Sequence, residues 1–169
     1  MKLYRKLFYE TIIHSFPVVL LFSCTVQNPS KYSKIQYEAG ACFGFCPIFK
    51  MTVNPDRTAI IEAEHFTFSE NRSKDEFSEP VEGTFKTTLN KEDFNNLIIL
   101  LDNADLKSLK SEYKNKNVTD LPTSYLRISF TDGTSKTIED YGKNGTEKLQ
   151  EIYTFIENLR FSNHWEQVK

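Results

Sequence analysis

The stretch ACFGFCPIF, residues 41–49, holds two cysteines, Cys42 and Cys46, four positions apart around a glycine and followed by Pro47. Thiols at this spacing can form a redox pair, supply two ligands to a metal ion, or close a structural disulfide. A thioredoxin-type redox motif has Cys-x-x-Cys at the start of a helix, where the helix end lowers the pKa of the thiol. The longer spacing, with Pro47 leading into a predicted strand, disfavours redox catalysis.

A zinc site needs two ligands beyond this cysteine pair. After residue 24 the only histidines are His65, inside a predicted strand, and His164, near the end of the sequence. We therefore predict no metal site and no cofactor. The preferred interpretation is a Cys42–Cys46 disulfide, in which Gly44 takes a backbone conformation that other residues resist. A five-residue loop closed in this way gains about 2 kcal/mol on the chain-entropy estimate.

The first 24 residues have the layout of a bacterial secretory signal. Lys2, Arg5 and Lys6 form a basic head, a mostly apolar run covers residues 12–22, and the stretch ends at Cys24. The run is shorter, and more interrupted by polar residues, than the roughly 20 apolar residues of a membrane-spanning helix. We predict that residues 1–23 are a lipoprotein signal peptide, which is removed.

The last four residues of that stretch, LFSC, resemble the lipoprotein box, with Phe22 where a smaller residue is usual. We expect Cys24 to receive acyl chains such as palmitate, and more than one chain gives stable anchoring. Ordinary signal cleavage and an uncleaved anchor are the alternatives. Residues 24–34 would be the lipidated cysteine and a linker. No acidic run follows Cys24, which favours the periplasmic side of the outer membrane over the cell surface.

The part of the chain after the predicted signal has the length of one domain. Three of the 21 basic residues and one of the 23 acidic residues precede Cys24, so the remainder carries 18 basic and 22 acidic residues, a formal net charge of −4. Basic residues form no cluster in the sequence. These features argue against nucleic acid or anionic lipid as the main partner.

The pattern of apolar residues predicts strands joined by hairpins, and two helices. Alternation indicates strands in IQYEAG, IFKMTVN, TAIIEAEHFTF and VEGTFKTTL, with a turn at 54–57 and a charged loop at 69–80. Asp132-Gly133 predicts a second hairpin between YLRISF and TSKTIEDY. Apolar stripes at helical spacing occupy residues 91–104, after the expected cap Asn90, and residues 146–160.

Hairpins imply an antiparallel sheet, and two amphipathic helices need one face of it to bury their stripes. The sequence therefore predicts a single α+β domain over residues 35–165. The expected architecture has two layers: an antiparallel sheet of about five or six strands, with both helices packed on one face.

The turn Cys42-Phe43-Gly44-Phe45-Cys46-Pro47, with Thr119-Asp120-Leu121-Pro122 ahead of the second hairpin, resembles a family of bacterial secreted or lipid-anchored domains of unknown function. The resemblance covers roughly residues 35–160. The turn at 54–57 departs from the family pattern because it lacks a glycine. The resemblance implies a fold and a location, and the family has no established activity to transfer.

Two interpretations of the Thr-Asp-x-Pro segment stay open. Asp120 can bond to nearby backbone N–H groups and Pro122 keeps the preceding residue extended, which would give only a rigid turn. Alternatively, Asp120 and Pro122 meet Gly44 and Pro47 in a corner that contacts a ligand. The sequence alone does not decide between them.

The absence of a catalytic motif favours a membrane-tethered domain that binds a protein, a ligand or an envelope component without catalysis. The alternative is a thiol/disulfide redox enzyme or a small hydrolytic enzyme that uses Cys42, Cys46 and Asp120. In that reading Glu62 and Glu64 take acid–base roles, and a concave pocket should hold the thiols beside a carboxylate of shifted pKa.

Overall fold

The computed structural model describes residues 30–68, 82–114 and 117–168. The predicted signal peptide, Cys24, the linker up to residue 29 and the whole charged loop at 69–80 lie outside these residues. The described elements are β1 (Tyr32–Ala39), β2 (Phe49–Val53), β3 (Thr58–Ala63), β4 (Gly83–Thr88), α1 (Lys91–Asn103), β5 (Glu112–Tyr113), β6 (Thr123–Phe130), β7 (Ser135–Tyr141), α2 (Glu147–Ser162) and β8 (Glu166–Gln167).

The strands form one sheet in the order β5-β7-β6-β1-β2-β3-β4-β8. The α+β class predicted from the sequence is confirmed, but the sheet has eight strands where five or six were predicted. The additional strands β5 and β8 have two residues each and lie at the edges, and two residues are too few to show an alternating pattern. The sheet is also mixed, because β5 pairs with β7 in parallel while the other pairs are antiparallel.

One face of the sheet is buried and packs against both helices. Along β2, β3 and β6 every second residue is buried, and the residues between are half-buried or exposed. The Tyr32 hydroxyl of β1 donates a 2.7 Å hydrogen bond to Asp102 of α1. The ring of Tyr37, also in β1, lies 5.4 Å from that of Tyr153 in α2. The central strand β1 therefore contacts both helices.

Strand β1 begins at Tyr32, three residues before the predicted start of the domain and inside the predicted linker. Tyr32 pairs with Phe130 and Lys34 pairs with Ser129, so Ser33 is an extra residue, a β-bulge. The bulge keeps both Tyr32 and Ile35 on the buried face although they are three positions apart. This breaks the alternation, and a pattern of period two therefore misses the start of the strand.

Local signals placed the first helix correctly. The Asn90 side chain accepts a 2.8 Å hydrogen bond from the backbone N–H of Asp93, which confirms the predicted cap. Strand β3, predicted to continue to residue 68, ends at Ala63, and residues 65–68 form a turn in which Phe66 has a left-handed backbone with φ of 58°. Within the described residues, neither helix is long and apolar enough to cross a membrane.

Candidate binding site at the cysteine turn

The cysteine turn, residues 42–47, connects β1 to β2 and is closed by a disulfide. Cys42 and Cys46 are joined with their Cα atoms 5.8 Å apart, as the sequence analysis expected. Gly44 has a φ of 142°, which disfavours a side chain even though a Cβ there would meet nothing within 4 Å. The side chain of Phe43 is 90% exposed, whereas Pro47 is buried. The turn is thus fixed at its base and carries an exposed aromatic ring at its tip.

The Thr-Asp-x-Pro segment lies against this turn. The backbone N–H of Phe43 donates a 3.1 Å hydrogen bond to the carbonyl of Asp120. The N–H of Gly40, at the end of β1, donates a 2.9 Å bond to the carbonyl of Thr123. The carboxylate of Asp120 is exposed and accepts a hydrogen bond from the hydroxyl of Thr119. Asp120 therefore meets the turn through its backbone rather than its acidic group.

A third segment, the turn after β7, completes the corner. Gly142 has a φ of 78° and donates its N–H to the carbonyl of Pro122 at 2.8 Å. A Cβ at Gly142 would lie 2.4 Å from Cδ1 of Leu121, so only glycine permits this approach. The N–H of Leu121 in turn donates to the hydroxyl of Tyr141 at 3.2 Å. The three segments are therefore held together by backbone contacts.

These segments enclose a cavity of about 120 Å³, which we call the corner cavity. Its wall includes Cys46, Pro47, Pro122, Ser124, Lys143 and Glu157. Of the corner predicted from the sequence, the structure brings Pro47 and Pro122 to the same cavity. Gly44 and Asp120 belong to the adjoining segments but are not among the residues that form its wall.

Ser124, Lys143 and Glu157 form the polar side of the corner cavity, and the buried Tyr37 connects to them by hydrogen bonds. Oε1 of Glu157 accepts hydrogen bonds from the Tyr37 hydroxyl and from Nζ of Lys143, each at 2.5 Å. The hydroxyls of Tyr37 and Ser124 lie 3.2 Å apart. Burial raises the pKa of Tyr37, and the negative charge of Glu157 raises it further. The phenol therefore stays protonated and acts as a fixed donor to the carboxylate.

None of these four polar residues was predicted from the sequence. Tyr37 and Ser124 occupy apolar-facing positions of strands, where the alternation predicts only core packing. Lys143 follows the glycine of a turn, and Glu157 lies in a helix next to its apolar stripe. No motif joins them in the sequence, because they come together only through the folding of β1, β6, the turn after β7 and α2.

The carboxylates proposed for acid–base roles lie elsewhere. Glu62 accepts a 2.7 Å hydrogen bond from Lys50 on the open face of the sheet, and Glu64 is exposed. Burial raises the pKa of a different carboxyl, Asp140, but its oxygens accept hydrogen bonds from the N–H groups of Asn144 and Gly145. Asp140 thus holds the turn before α2 and is not part of the cavity wall.

Neither histidine after residue 24 approaches the cysteine turn in a metal-binding arrangement. Nδ1 of His65 lies 3.0 Å from a carboxylate oxygen of Glu82, and His164 is exposed. Among the residues that the structure describes, His, Cys, Asp and Glu side chains do not gather in any group of three or more suited to a metal ion.

An aromatic contact supports the base of the cysteine turn from the side of β3. The rings of Phe45 and Phe66 meet edge to face with centroids 5.8 Å apart, and both side chains are half-buried. Phe66 makes this contact from its left-handed backbone conformation, which is strained for a bulky residue. Of the two turn phenylalanines, Phe45 packs on the domain while Phe43 extends into solvent.

Comparison with known protein families matches residues 33–160 to a domain of unknown function, DUF6438. The matched range contains the cysteine turn, the Thr-Asp-x-Pro segment and every residue of the corner cavity. No curated protein matches the chain.

Proposed function

The chain belongs to the DUF6438 family of domains of unknown function, and from this premise we propose that it is a lipid-anchored envelope protein whose cysteine turn binds a partner protein without catalysis. Phe43, 90% exposed on a covalently closed turn, carries the proposal. A rigid aromatic side chain buries a large area on binding and loses little conformational entropy, so aromatic residues are common anchors in interfaces. A single exposed apolar residue is ordinary on a protein surface, but the backbone of this one is fixed by the Cys42–Cys46 disulfide and by its hydrogen bond to Asp120.

The direction of β1 supports contact with a partner rather than with lipid. The described chain begins at Ser30, and β1 runs from Tyr32 to Ala39, so the cysteine turn lies at the far end of this strand, roughly 25 Å away. From Cys24 to Ser30 the chain spans at most about 20 Å even when fully extended. An anchor at Cys24 would hold the Tyr32 end of the domain near the membrane. Phe43 would then lie at the end of the domain that is distant from this attachment.

The alternative function is redox or hydrolytic catalysis by Cys42, Cys46 and Asp120. No helix begins at the cysteine turn, since the next element is strand β2, so no helix end is available to lower a thiol pKa. The exposed carboxylate of Asp120 is not part of the cavity wall beside Cys46. The geometry therefore gives this alternative less support than binding.

The membrane anchor is tested by Cys24→Ala in cells that express the full chain. We expect the wild-type protein in the membrane fraction, labelled by radioactive palmitate, and the variant unlabelled and released from that fraction. The reason is that more than one acyl chain on Cys24 would supply the anchoring energy. A Cys24→Ala protein that stays with the membrane would contradict the anchor.

Partner binding is tested by placing a photoreactive benzophenone amino acid at position 43 of the full chain in intact cells. We expect a discrete crosslinked product from position 43. Position 99 is the matched control, because Ile99 is 54% exposed on α1 and lies outside the corner. In the same cells, Phe43→Ala should reduce co-purification of the crosslinked partner at least about tenfold, the effect of losing an interface anchor.

Identical products from positions 43 and 99, or none from position 43, would contradict a specific contact at the cysteine turn. The thermal stability of Phe43→Ala should equal that of the wild type, since an exposed ring contributes little to the core. This equality separates loss of binding from loss of fold.

A further inference from the structure

The corner cavity has the size of a small chemical group. Its volume is about 120 Å³. Pockets for drug-sized ligands and cofactors range from roughly 300 to 1,000 Å³. The cavity therefore suits the functional group of a side chain rather than a whole cofactor.

The charges in its wall disfavour ionic groups. Lys143 and Glu157 form an ion pair of 2.5 Å, with side chains 33% and 15% exposed. An entering cation would meet the ammonium of Lys143, and an entering anion would meet the carboxylate of Glu157. Each would add a net charge beside a pair that is already neutral, in a partly buried place where an unbalanced charge is costly. A neutral group that both donates and accepts hydrogen bonds leaves the pair intact.

The cavity wall contains a hydrogen-bond acceptor and hydrogen-bond donors next to each other. Among the described residues, Glu157 uses only Oε1 in hydrogen bonds, which leaves Oε2 as an acceptor. The ammonium of Lys143 has three N–H donors, of which one points to Glu157. The Ser124 side chain is fully buried and its hydroxyl is paired with that of Tyr37, so it is not available to an entering group. The remaining wall, from Cys46, Pro47 and Pro122, is apolar or weakly polar.

We infer that the corner cavity binds a primary carboxamide, supplied by an Asn or Gln side chain of the partner. The carbonyl oxygen accepts from Nζ of Lys143, and the NH₂ group donates to Oε2 of Glu157. The methylene carbons of the bound side chain lie along Pro47 and Pro122. That the carboxamide belongs to a partner protein rests on the proposed function, because only a protein bound at the cysteine turn would bring such a side chain to the cavity.

The test is an NMR titration of the ¹⁵N-labelled protein with acetamide, acetate and methylammonium as three probes of similar size. We expect saturable shifts of the backbone N–H signals of Ser124, Gly142 and Lys143 with acetamide, with a Kd on the order of 10 mM for so few atoms. The two ionic probes should bind at least tenfold more weakly. The N–H of Gly133, in the hairpin at the other end of β6, should not respond to any probe.

One substitution is expected to reverse the preference of the cavity for acetamide over methylammonium. Lys143→Met removes the ammonium and leaves Glu157 as the sole charge of the pair, so methylammonium should then bind more tightly than acetamide. The spectrum of the variant reports directly whether the fold persists. If it does not, the three probes on the wild-type protein still decide the question.

Equal responses to all three probes, or no saturable response, would mean that the cavity holds water only and would overturn the inference. That result together with a crosslink from position 43 would leave the proposed function standing. A selective acetamide response without a crosslink would support the cavity and contradict the partner contact.

Discussion

Gly142→Ala is expected to lower the free energy of unfolding by about 2–3 kcal/mol. A left-handed backbone costs a residue with a Cβ about 1–2 kcal/mol, and Gly142 has a φ of 78°. In addition, the new Cβ would lie 2.4 Å from Cδ1 of Leu121, which must move out of its packing. Urea denaturation of the purified variant and wild type measures the difference from the transition midpoints.

Gly133→Ala is the matched control for this change. Gly133 has a similar φ of 83°, but a Cβ there would meet nothing within 4 Å, so only the backbone cost of about 1–2 kcal/mol applies. Adding Leu121→Ala to Gly142→Ala should recover the steric part of the loss, as a double-mutant cycle would show. Equal losses for the two glycine variants would contradict the close approach at the corner.

Arg160→Ala is expected to lower the free energy of unfolding by at least about 3 kcal/mol. This side chain is 7% exposed and donates hydrogen bonds to the backbone carbonyls of Glu157, at 2.7 Å, and Thr67, at 2.6 Å. Its guanidinium also lies 4.8 Å from the ring centroid of Phe49. Hydrogen bonds from a charged donor contribute about 1.5–3 kcal/mol each, and a desolvated cation–π contact adds to them.

Arg160→Ala should also loosen the cysteine turn. Arg160 holds Thr67, and the neighbouring Phe66 packs against Phe45 of the turn. We therefore expect weaker crosslinking from position 43 in Arg160→Ala, in addition to its lower denaturation midpoint. Arg127→Ala is the control, since its 2.7 Å pair with Glu38 lies on the open face with both side chains about one-third exposed. Such a pair contributes less than about 1 kcal/mol. Comparable losses from both arginines would contradict the role of Arg160.

Much of the fold was predictable because its signals are local. Alternation marked the long strands, the cap at Asn90 marked the first helix, and Asp132-Gly133 marked the second hairpin. The edge strands β5 and β8 were not predictable, because two residues paired through backbone hydrogen bonds leave no periodic pattern. Their existence depends on which segments happen to lie beside β7 and β4.

The candidate site also has parts that could be predicted from the sequence and parts that could not. The disulfide followed from two cysteines in a short turn, where spacing limits the possible partners. The contact between Phe43 and Asp120 joins residues far apart in the sequence, and only the pairing of β1 with β6 brings them together. The polar wall of Ser124, Lys143 and Glu157 has the same origin.

The sequence by itself determined the α+β class, the helices, the hairpins and the cysteine pair, since each depends on interactions between residues that are close along the chain. The tertiary structure alone decided the eight-stranded order, the exposure of Phe43 and the corner cavity. These features depend on packing between segments that are distant in the sequence. Gly142, for example, is required because Leu121 of another segment lies against it, and no local sequence pattern encodes that contact.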